Sequence, residues 1–590
     1  MTPSQIIVLA TPVFLLLITL EFAWGYAKGR NTYRLNDAIN SISLGVLSQL
    51  SAVFLKVLSI GIYTAVFGRV ALWPHPGFWN TWVGWLLAVL FYDLCYYWLH
   101  RLGHTSAVLW AAHVVHHQSQ DYNLSTALRQ TSSGALLGWI FYLPMALAGV
   151  PPAIFAVVAL IDLLYQFWVH TEQVPKLGWF DRWFCSPSNH RVHHAVNDPY
   201  LDKNFGGILI VWDRLFGSFA EEREKPVYGT RSNLNSWDPL WANAEVYWGL
   251  LKDSWHTRRW RDKLRVWFKP PGWRPPDVAQ RFPKPAFDLA SVQRFHPPLS
   301  RAVACFAGVQ FALLLAGVSA YLWFADTLPP GPSFVWLAAL TAALWALGAV
   351  LQGRITVLQV LLIESAALAT ASAAVGLVDL HHVFKPLTMA VAIVFVATSR
   401  RTTRAGGRLD ALLMAALAAS LAGDVLLMLP GQFIPGLVAF LLAHLCYLAL
   451  FKLGTSRLQP VGAGTGREVA AVRSVWFPSR RALYCTLGVG AAMYVSLWHG
   501  LGPVLRPAVA AYVLVIALMA AQAIGRATLL RNRAAVLVAV GACFFMLSDA
   551  LLAVNRFAHP LPLAPLWVLS SYYGAQILIA TYACSARAGG

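Results

Sequence analysis

Uninterrupted apolar segments of about 20 residues recur along this chain, and they constrain its fold more than any other feature. Of the 590 residues, 58% are hydrophobic and only 12% are charged, which lies outside the range of soluble globular proteins. The first run, residues 6–24, lacks the basic start and the small-residue cleavage site of a signal peptide, so we interpret it as a retained span. The sequence therefore predicts an all-α polytopic membrane protein.

The apolar runs divide the chain into two parts. A short pair of runs split by Pro151 and Pro152 predicts a tight hairpin within the membrane. Segment 181–301 contains no run long enough to span and is predicted to lie at a soluble face. The long runs of the first part lie near 6–24, 41–67, 79–99, 302–324 and 333–351, and the hairpin covers 132–150 and 152–169. Eight further runs predict an eight-span bundle, near 355–375, 384–398, 409–428, 431–451, 482–499, 505–525, 534–553 and 563–583. We expect two domains, 1–350 and 351–590.

The net charge of +19 raises the question of an anionic partner. The basic residues lie in loops between the apolar runs, as the positive-inside rule requires, so nucleic acid is not expected as a partner. Counting spans from these loops places the N-terminus outside and segment 181–301 in the cytoplasm. The membrane would be the inner membrane in a bacterium and the endoplasmic reticulum in a eukaryote. The seven cysteines have no CxxC spacing and indicate neither a disulfide framework nor a zinc ribbon.

Histidine is concentrated in four short clusters of the first part. Nine of the 17 histidines belong to them: His100 and His104 in HRLGH, His113, His116 and His117 in HVVHH, His170 in WVHTE, and His190, His193 and His194 in NHRVHH. Spacings of three and four place imidazoles on one helical face, and several neutral nitrogen donors suit iron. Span counting brings all four clusters to the cytoplasmic side. We predict that the nine histidines bind two metal ions, because a zinc hydrolase would need only three protein ligands. Glu172 is a candidate orienting neighbour of His170.

The motifs HxxxH, HxxHH and HxxHH after membrane spans resemble the fatty acid hydroxylase and sterol desaturase superfamily. More narrowly, HRLGHTSAVLWAAHVVHHQSQDYNLSTALRQ, followed by HTE, SPSNHRVHH, DKNFGG and WDRLFGSF, is similar to the alkylglycerol monooxygenase family over roughly residues 1–350. The resemblance implies a di-iron site that uses O2, with tetrahydrobiopterin or another electron donor. It implies hydroxylation beside the ether oxygen of a glyceryl ether and collapse of the product to a fatty aldehyde. Thr105 and Gln166 depart from the pattern of related enzymes.

Four polar residues near the second histidine cluster are candidates for binding substrate or cofactor: Asp121, Asn123, Arg129 and Gln130. The motif that contains them, DYNLSTALRQ, is not needed for iron ligation and is expected to shape a pocket. The alternative interpretation is a solvated loop followed by a helix N-cap.

Two aspartates lie inside apolar runs of the second part, Asp424 in LAGDVLLML and Asp549 in FFMLSDALLAVNRF. Ionisable residues at such positions are energetically costly and usually functional. Their spans, the third and seventh of the eight, run in the same direction, so both carboxyls should reach a similar depth toward the non-cytoplasmic side. Two converging carboxylates can act as general acid and general base; alternatively, they hold helices together.

The motifs KPLTM (Lys385 to Met389), GDVLL, SDALLAVNRF and SYYGAQILI resemble the YhhN-type lysoplasmalogenase family over about residues 351–590. The resemblance implies hydrolysis of the vinyl ether bond of a lysoplasmalogen to a fatty aldehyde and a glycerophospho-alcohol. It implies that Asp424 and Asp549 protonate the vinyl ether and activate water, with Lys385 as a candidate binding residue.

The two resemblances lead to one hypothesis, a fusion of two enzymes that cleave ether lipids or lysophospholipids in the bilayer. One alternative is a sterol, carotenoid or fatty acid hydroxylase with a C-terminal non-catalytic membrane or transport domain. Another is metal storage or sensing by the histidine clusters. The sequence leaves the oligomeric state open.

Overall fold

The computed structural model describes residues 2–399, 404–453 and 475–583. Helices dominate these residues; they contain no β-strand, only two isolated bridges, Phe184 with Leu209 and Ala195 with Tyr228. The all-α prediction is confirmed. The chain forms two compact units, Met1–Ile355 and Thr356–Gly590.

Eight helices form the frame of the first unit. They are α1 Pro3–Ala27, α2 Leu35–Lys56, α3 Trp82–Thr105, α4 Pro152–Trp168, α5 Pro239–His256, α6 Trp260–Phe268, α7 Arg301–Phe324 and α8 Pro330–Leu351. Shorter helices connect them: Val57–Gly61 (π), Ile62–Val70, Pro76–Trp79, Ala107–Ala111, Val114–His117, Leu124–Ala127, Ala135–Gly138, Trp139–Tyr142 (3-10), Leu143–Ala148, Phe180–Trp183, Pro187–His193, Asp198–Tyr200 (3-10), Val211–Leu215, Pro276–Arg281 and Leu289–Ser291 (3-10).

Five helices of this unit, α1, α2, α3, α7 and α8, are long and apolar enough to cross a membrane. Side-chain caps fix where two of them begin: the Thr81 hydroxyl accepts from the Gly84 N–H before α3, and the Ser300 hydroxyl accepts from the Val303 N–H before α7. At the predicted hairpin, Gly149 adopts a left-handed backbone (φ +92°) and Pro152 begins α4. The first limb of the hairpin is broken into short helices.

Eight helices form the second unit: α9 Val357–Ala374, α10 Val378–Thr398, α11 Arg404–Met428, α12 Phe433–Leu453, α13 Arg480–Leu497, α14 Leu505–Leu530, α15 Arg533–Phe557 and α16 Ala564–Tyr582; a 3-10 turn, Trp498–Gly500, follows α13. Six of the eight meet the length and hydropathy needed to span a membrane, and α13 and α16 do not. The reason lies in their composition, because α13 starts with Arg480 and Arg481 and α16 carries Ser571, Tyr572 and Tyr573. The predicted count of eight spans is therefore approximate.

Alanine is frequent in the core of the second unit, as in Ala369, Ala416, Ala443 and Ala542, which are all fully buried. Small side chains let helix backbones approach closely where lipid offers no hydrophobic driving force for association. Phe545 and Tyr447 fill the space that remains between the helices.

Gly45 on α2 allows that helix to lie against the segment after the second histidine cluster, since a Cβ there would overlap the carbonyl oxygen of Leu128. We expect Gly45→Ala to destabilise the first unit by ~1–3 kcal/mol through overpacking. The matched change Gly308→Ala on α7, where nothing lies within 4 Å, should be neutral or stabilising by up to ~1 kcal/mol from helix propensity. Thermal unfolding in detergent measures both. Equal melting temperatures for the two variants would contradict the packing argument.

Candidate metal centre and a second buried site

The structure brings all nine predicted histidines together in two groups. Within each group, one ring nitrogen from every histidine lies within 4.8 Å of the others. The first group has five members, His100, His104, His113, His117 and His193, and the second has four, His116, His170, His190 and His194. Eight of the nine are buried and His113 is half-buried. The count and grouping match what two metal ions would require.

Local helical structure explains why these side chains converge. His100 and His104 are one turn apart at the C-terminal end of α3. The short helices Val114–His117 and Pro187–His193 carry most of the other ligands. His170 follows the end of α4 by two residues.

Backbone carbonyls orient four of the rings through Nδ1. The contacts are His100 with Phe205 (2.8 Å), His116 with Arg129 (2.9 Å), His170 with Gln166 (2.7 Å) and His193 with Lys203 (3.0 Å). A carbonyl only accepts, so the Nδ1 atoms carry the protons and donate them. In the neutral ring, Nε2 then presents a lone pair.

These lone pairs face one another. Nε2 of His170 lies 3.1 Å from Nε2 of His116 and 3.1 Å from Nε2 of His190. For His116 and His170 both atoms are acceptors on the tautomer that the carbonyls impose, so no hydrogen bond can join them. Nε2 of His104 and of His193 are buried with no hydrogen-bond partner. A cation between the rings would satisfy these atoms, and a nitrogen donor set of this kind fits iron.

For the imidazoles that lie outside the spanning helices, burial favours the neutral form, which is the form that binds metal. Burial lowers the pKa of His116 to about 4. It lowers the pKa values of six other histidines well below their usual range: His113, His117, His170, His190, His193 and His194. Metal ligation requires neutral imidazole, so a metal ion can bind here without first displacing a proton.

Two buried aspartates shape the loop that supplies orienting carbonyls. Asp213 accepts from the backbone N–H groups of Phe205 and Gly206, both at 2.8 Å. Asp93 on α3 accepts from the backbone N–H groups of Ile208 and Leu209 at 2.8 and 3.0 Å. The DKNFGG loop is thereby held where its carbonyls meet the Nδ1 atoms of two ligands. Sequence reasoning missed both carboxylates, although an acidic residue within the apolar run of α3 was a usable signal.

A cavity of about 350 Å³ adjoins the histidines. Four of the ligands line it, His100, His113, His116 and His170, together with apolar side chains of α1, α2 and α7 such as Phe14, Val46 and Val318. Its volume lies within the ~300–1,000 Å³ of ligand pockets. It is shaped to hold a hydrophobic chain beside the metal centre.

The predicted polar residues near the second cluster are placed differently from one another. Gln130 lines the cavity. Arg129 is fully buried and donates to the Val115 carbonyl at 2.7 Å, and its own carbonyl orients His116. Asp121 forms an ion pair with Arg34 at 2.7 Å.

Two further predicted residues contribute little to the ligand geometry. Asn123 is buried and caps the helix Leu124–Ala127, so the N-cap interpretation holds while the solvated loop does not. Glu172 is exposed, and Nδ1 of His170 meets a backbone carbonyl instead. A role of these residues in binding substrate or cofactor stays a prediction.

The second unit has its own cavity, of about 1,100 Å³, and both Asp424 and Asp549 line it. Asp424 accepts from the Tyr572 hydroxyl at 2.6 Å and lies 3.5 Å from the Lys385 ammonium. The structure therefore brings the three predicted residues of this unit to one cavity. Asp424 is almost fully buried, so its ion pair with Lys385 offsets the cost of desolvation.

Asp549 has a different pair of partners. It accepts from the Tyr512 hydroxyl at 2.6 Å and lies 3.2 Å from Nε2 of His444, whose ring is fully buried. Sequence reasoning missed His444 and both tyrosines. A histidine in the apolar run LLAHLCYLAL carried the same signal as the two aspartates.

Removing one ligand should release metal from its own group. We expect His190→Ala to lower the iron content of the purified protein by about half, because only the second group loses a ligand. His296→Ala, an exposed histidine outside both groups, is the control and should keep the wild-type content. Elemental analysis measures iron per chain. Wild-type iron in His190→Ala would contradict metal binding by this group.

The loop carboxylate should act on the metal through the ligands. Asp213→Asn removes an acceptor from the loop, and we expect iron affinity in chelator competition to fall ~10–100-fold. The control is Asp198→Asn, a carboxylate that is 86% exposed. A lower melting temperature with unchanged iron affinity would show that Asp213 only stabilises the fold.

Comparison with known proteins finds relatives of both units. The family models "Fatty acid hydroxylase" and "YhhN family" match residues 85–218 and 380–583. Alkylglycerol monooxygenase from Homo sapiens is 40% identical over 310 residues, which cover 52% of this chain and 69% of the relative. Alkylglycerol monooxygenase from Xenopus tropicalis is 37% identical over 308 residues, which cover 52% of this chain and 68% of the relative. Lysoplasmalogenase TMEM86B from Sus scrofa is 36% identical over 181 residues, covering 30% of this chain and 66% of the relative. No solved structure matches. Through its histidine-bearing unit, the chain belongs to the alkylglycerol monooxygenase family.

Proposed function

We propose that residues 1–350 are a di-iron monooxygenase that cleaves glyceryl ether lipids, and that residues 351–590 hydrolyse the vinyl ether of lysoplasmalogens. The observation that carries the first proposal is the convergence of nine imidazoles in two groups, four of which line an apolar cavity. The names of the relatives support an ether lipid as the substrate. The membrane would be the bacterial inner membrane or the endoplasmic reticulum, with the iron site facing the cytoplasm.

Two iron ions, when bound, would supply the activation of O2, with electrons from tetrahydrobiopterin or another donor. The chain's own residues hold and orient the ligands, exclude water, and position the alkyl carbon beside the centre. Phe14, Val46 and Val318 provide apolar surface for the alkyl chain. Hydroxylation of the carbon next to the ether oxygen gives a hemiacetal, which collapses to a fatty aldehyde and a free glycerol hydroxyl.

The reaction of the second unit consumes one water molecule and needs proton transfers but no oxidant. Asp549, with its phenol and imidazole partners, would donate a proton to the β-carbon of the vinyl ether. Asp424, which the Lys385 ammonium stabilises as a carboxylate, would accept a proton from the attacking water. The hemiacetal then breaks to fatty aldehyde and glycerophospho-alcohol.

We expect the two activities to be separable by mutation. His116→Ala should abolish O2-dependent aldehyde release from an alkylglycerol and leave vinyl ether hydrolysis unchanged. Asp424→Asn should lower vinyl ether hydrolysis by ~10²–10⁴-fold, the usual contribution of a general base, and leave the oxidation unchanged. Aldehyde is measured with purified protein in detergent, supplied with iron, O2 and reduced tetrahydrobiopterin.

Each unit serves as the control for the other, since loss of both activities in either variant would indicate misfolding. Hydroxylation of a sterol or free fatty acid without ether cleavage would favour the general lipid hydroxylase instead. Vinyl ether hydrolysis that survives Asp424→Asn would favour a non-catalytic membrane or transport role for the second unit.

A further inference from the structure

Helix α6 of the first unit has an apolar face that no part of the described chain covers. Trp260, Leu264 and Phe268 are 81%, 69% and 70% exposed. They are spaced four residues apart and therefore share one face of the helix. Asp262 and Val266, on the opposite face, are buried. The helix is thus amphipathic, with its aromatic side turned outward.

The same short segment carries a dense positive charge. Residues 258–269 contain six basic side chains and one acidic one, Asp262. That aspartate is buried and lies 3.0 Å from a guanidinium nitrogen of Arg265. The basic residues are Arg258, Arg259, Arg261, Lys263, Arg265 and Lys269. Just before them, Trp255 at the end of α5 is 80% exposed. A surface of this composition complements an anionic apolar partner.

One contact places this segment at the end of a spanning helix. The Lys269 carbonyl, directly after α6, accepts from the Ala107 N–H at 2.9 Å, and Ala107 follows the end of α3 by two residues. A helix tied to the end of a span lies where the hydrocarbon core gives way to lipid headgroups.

We propose that α6, together with Trp255, is an interfacial anchor that lies on the bilayer surface and binds anionic lipid headgroups. Indole and phenyl rings insert at the boundary between headgroups and acyl chains, where aromatic side chains are enriched. The exposed Arg258, Arg259 and Arg261 extend to the phosphates of anionic lipids. Through the Lys269–Ala107 contact, the anchor holds the start of the segment that carries HVVHH against the membrane.

A fluorophore on the apolar face tests the proposal. Leu264→Cys is labelled with nitrobenzoxadiazole in full-length protein whose Cys305, Cys485, Cys543 and Cys584 are replaced by serine. The protein is placed in nanodiscs of phosphatidylcholine, with or without phosphatidylglycerol, that contain acyl-chain spin-labelled lipid. We expect blue-shifted emission and quenching at least about twofold stronger than for a label at Arg223→Cys, with a further increase in phosphatidylglycerol. Arg223 is 83% exposed and outside this surface.

A second variant isolates the charge. Replacing Arg258, Arg259 and Arg261 by glutamine should remove the phosphatidylglycerol effect while leaving quenching in phosphatidylcholine in place. Quenching at Leu264 equal to that at Arg223 would overturn the anchor. Equal quenching in both lipid mixtures would overturn the preference for anionic lipid. A blue shift without lipid quenching that grows with protein concentration would assign the face to a second copy of the chain.

Discussion

The first unit depends on the convergence of imidazole lone pairs that cannot bond to one another. Backbone carbonyls accept from Nδ1–H and so fix the tautomer of these rings, and the Nε2 atoms of His116 and His170 lie 3.1 Å apart. Without a cation this arrangement would leave buried acceptors unsatisfied, which costs free energy at each atom. The surrounding structure follows from that need: Asp93 and Asp213 fix the loop, and helix ends deliver the ligands. We therefore expect metal binding and folding to be coupled in this unit.

In the second unit the groups that need stabilising are acidic, and other side chains of the unit stabilise them. Two acidic groups lie at the cavity, Asp424 almost fully buried and Asp549 half-buried, so they require hydrogen-bond donors and, where ionised, positive charge. Asp424 receives a phenol and an ammonium, whereas Asp549 receives a phenol and an imidazole. The partners come from different helices, which ties the bundle together around the cavity. The unequal partners also distinguish the two carboxylates chemically, which an acid–base pair needs.

Local patterns in the sequence predicted the features that depend on neighbouring residues alone, namely the spans and the histidine clusters. Hydropathy gave the spans of the first unit because each span needs only its own apolar run, and histidine spacing identified the residues that form the two groups. Tyr512 and Tyr572 were not found because their partners, Asp549 and Asp424, lie 37 and 148 residues away along the chain. The count of eight spans was approximate for a related reason: α13 and α16 pack in the bundle with less apolar sequence than the other helices.

The difference between the two ether linkages explains why one chain would carry two unlike sites. The carbon beside a saturated ether oxygen has no double bond to protonate, so acid–base groups alone have no entry to the reaction, and oxidation of a C–H bond is required. A vinyl ether already has a basic β-carbon, so a proton and a water molecule suffice. Nine histidines beside one cavity and two aspartates beside another correspond to these two requirements. Both routes end in a hemiacetal, so under the proposed function a fatty aldehyde is the common product.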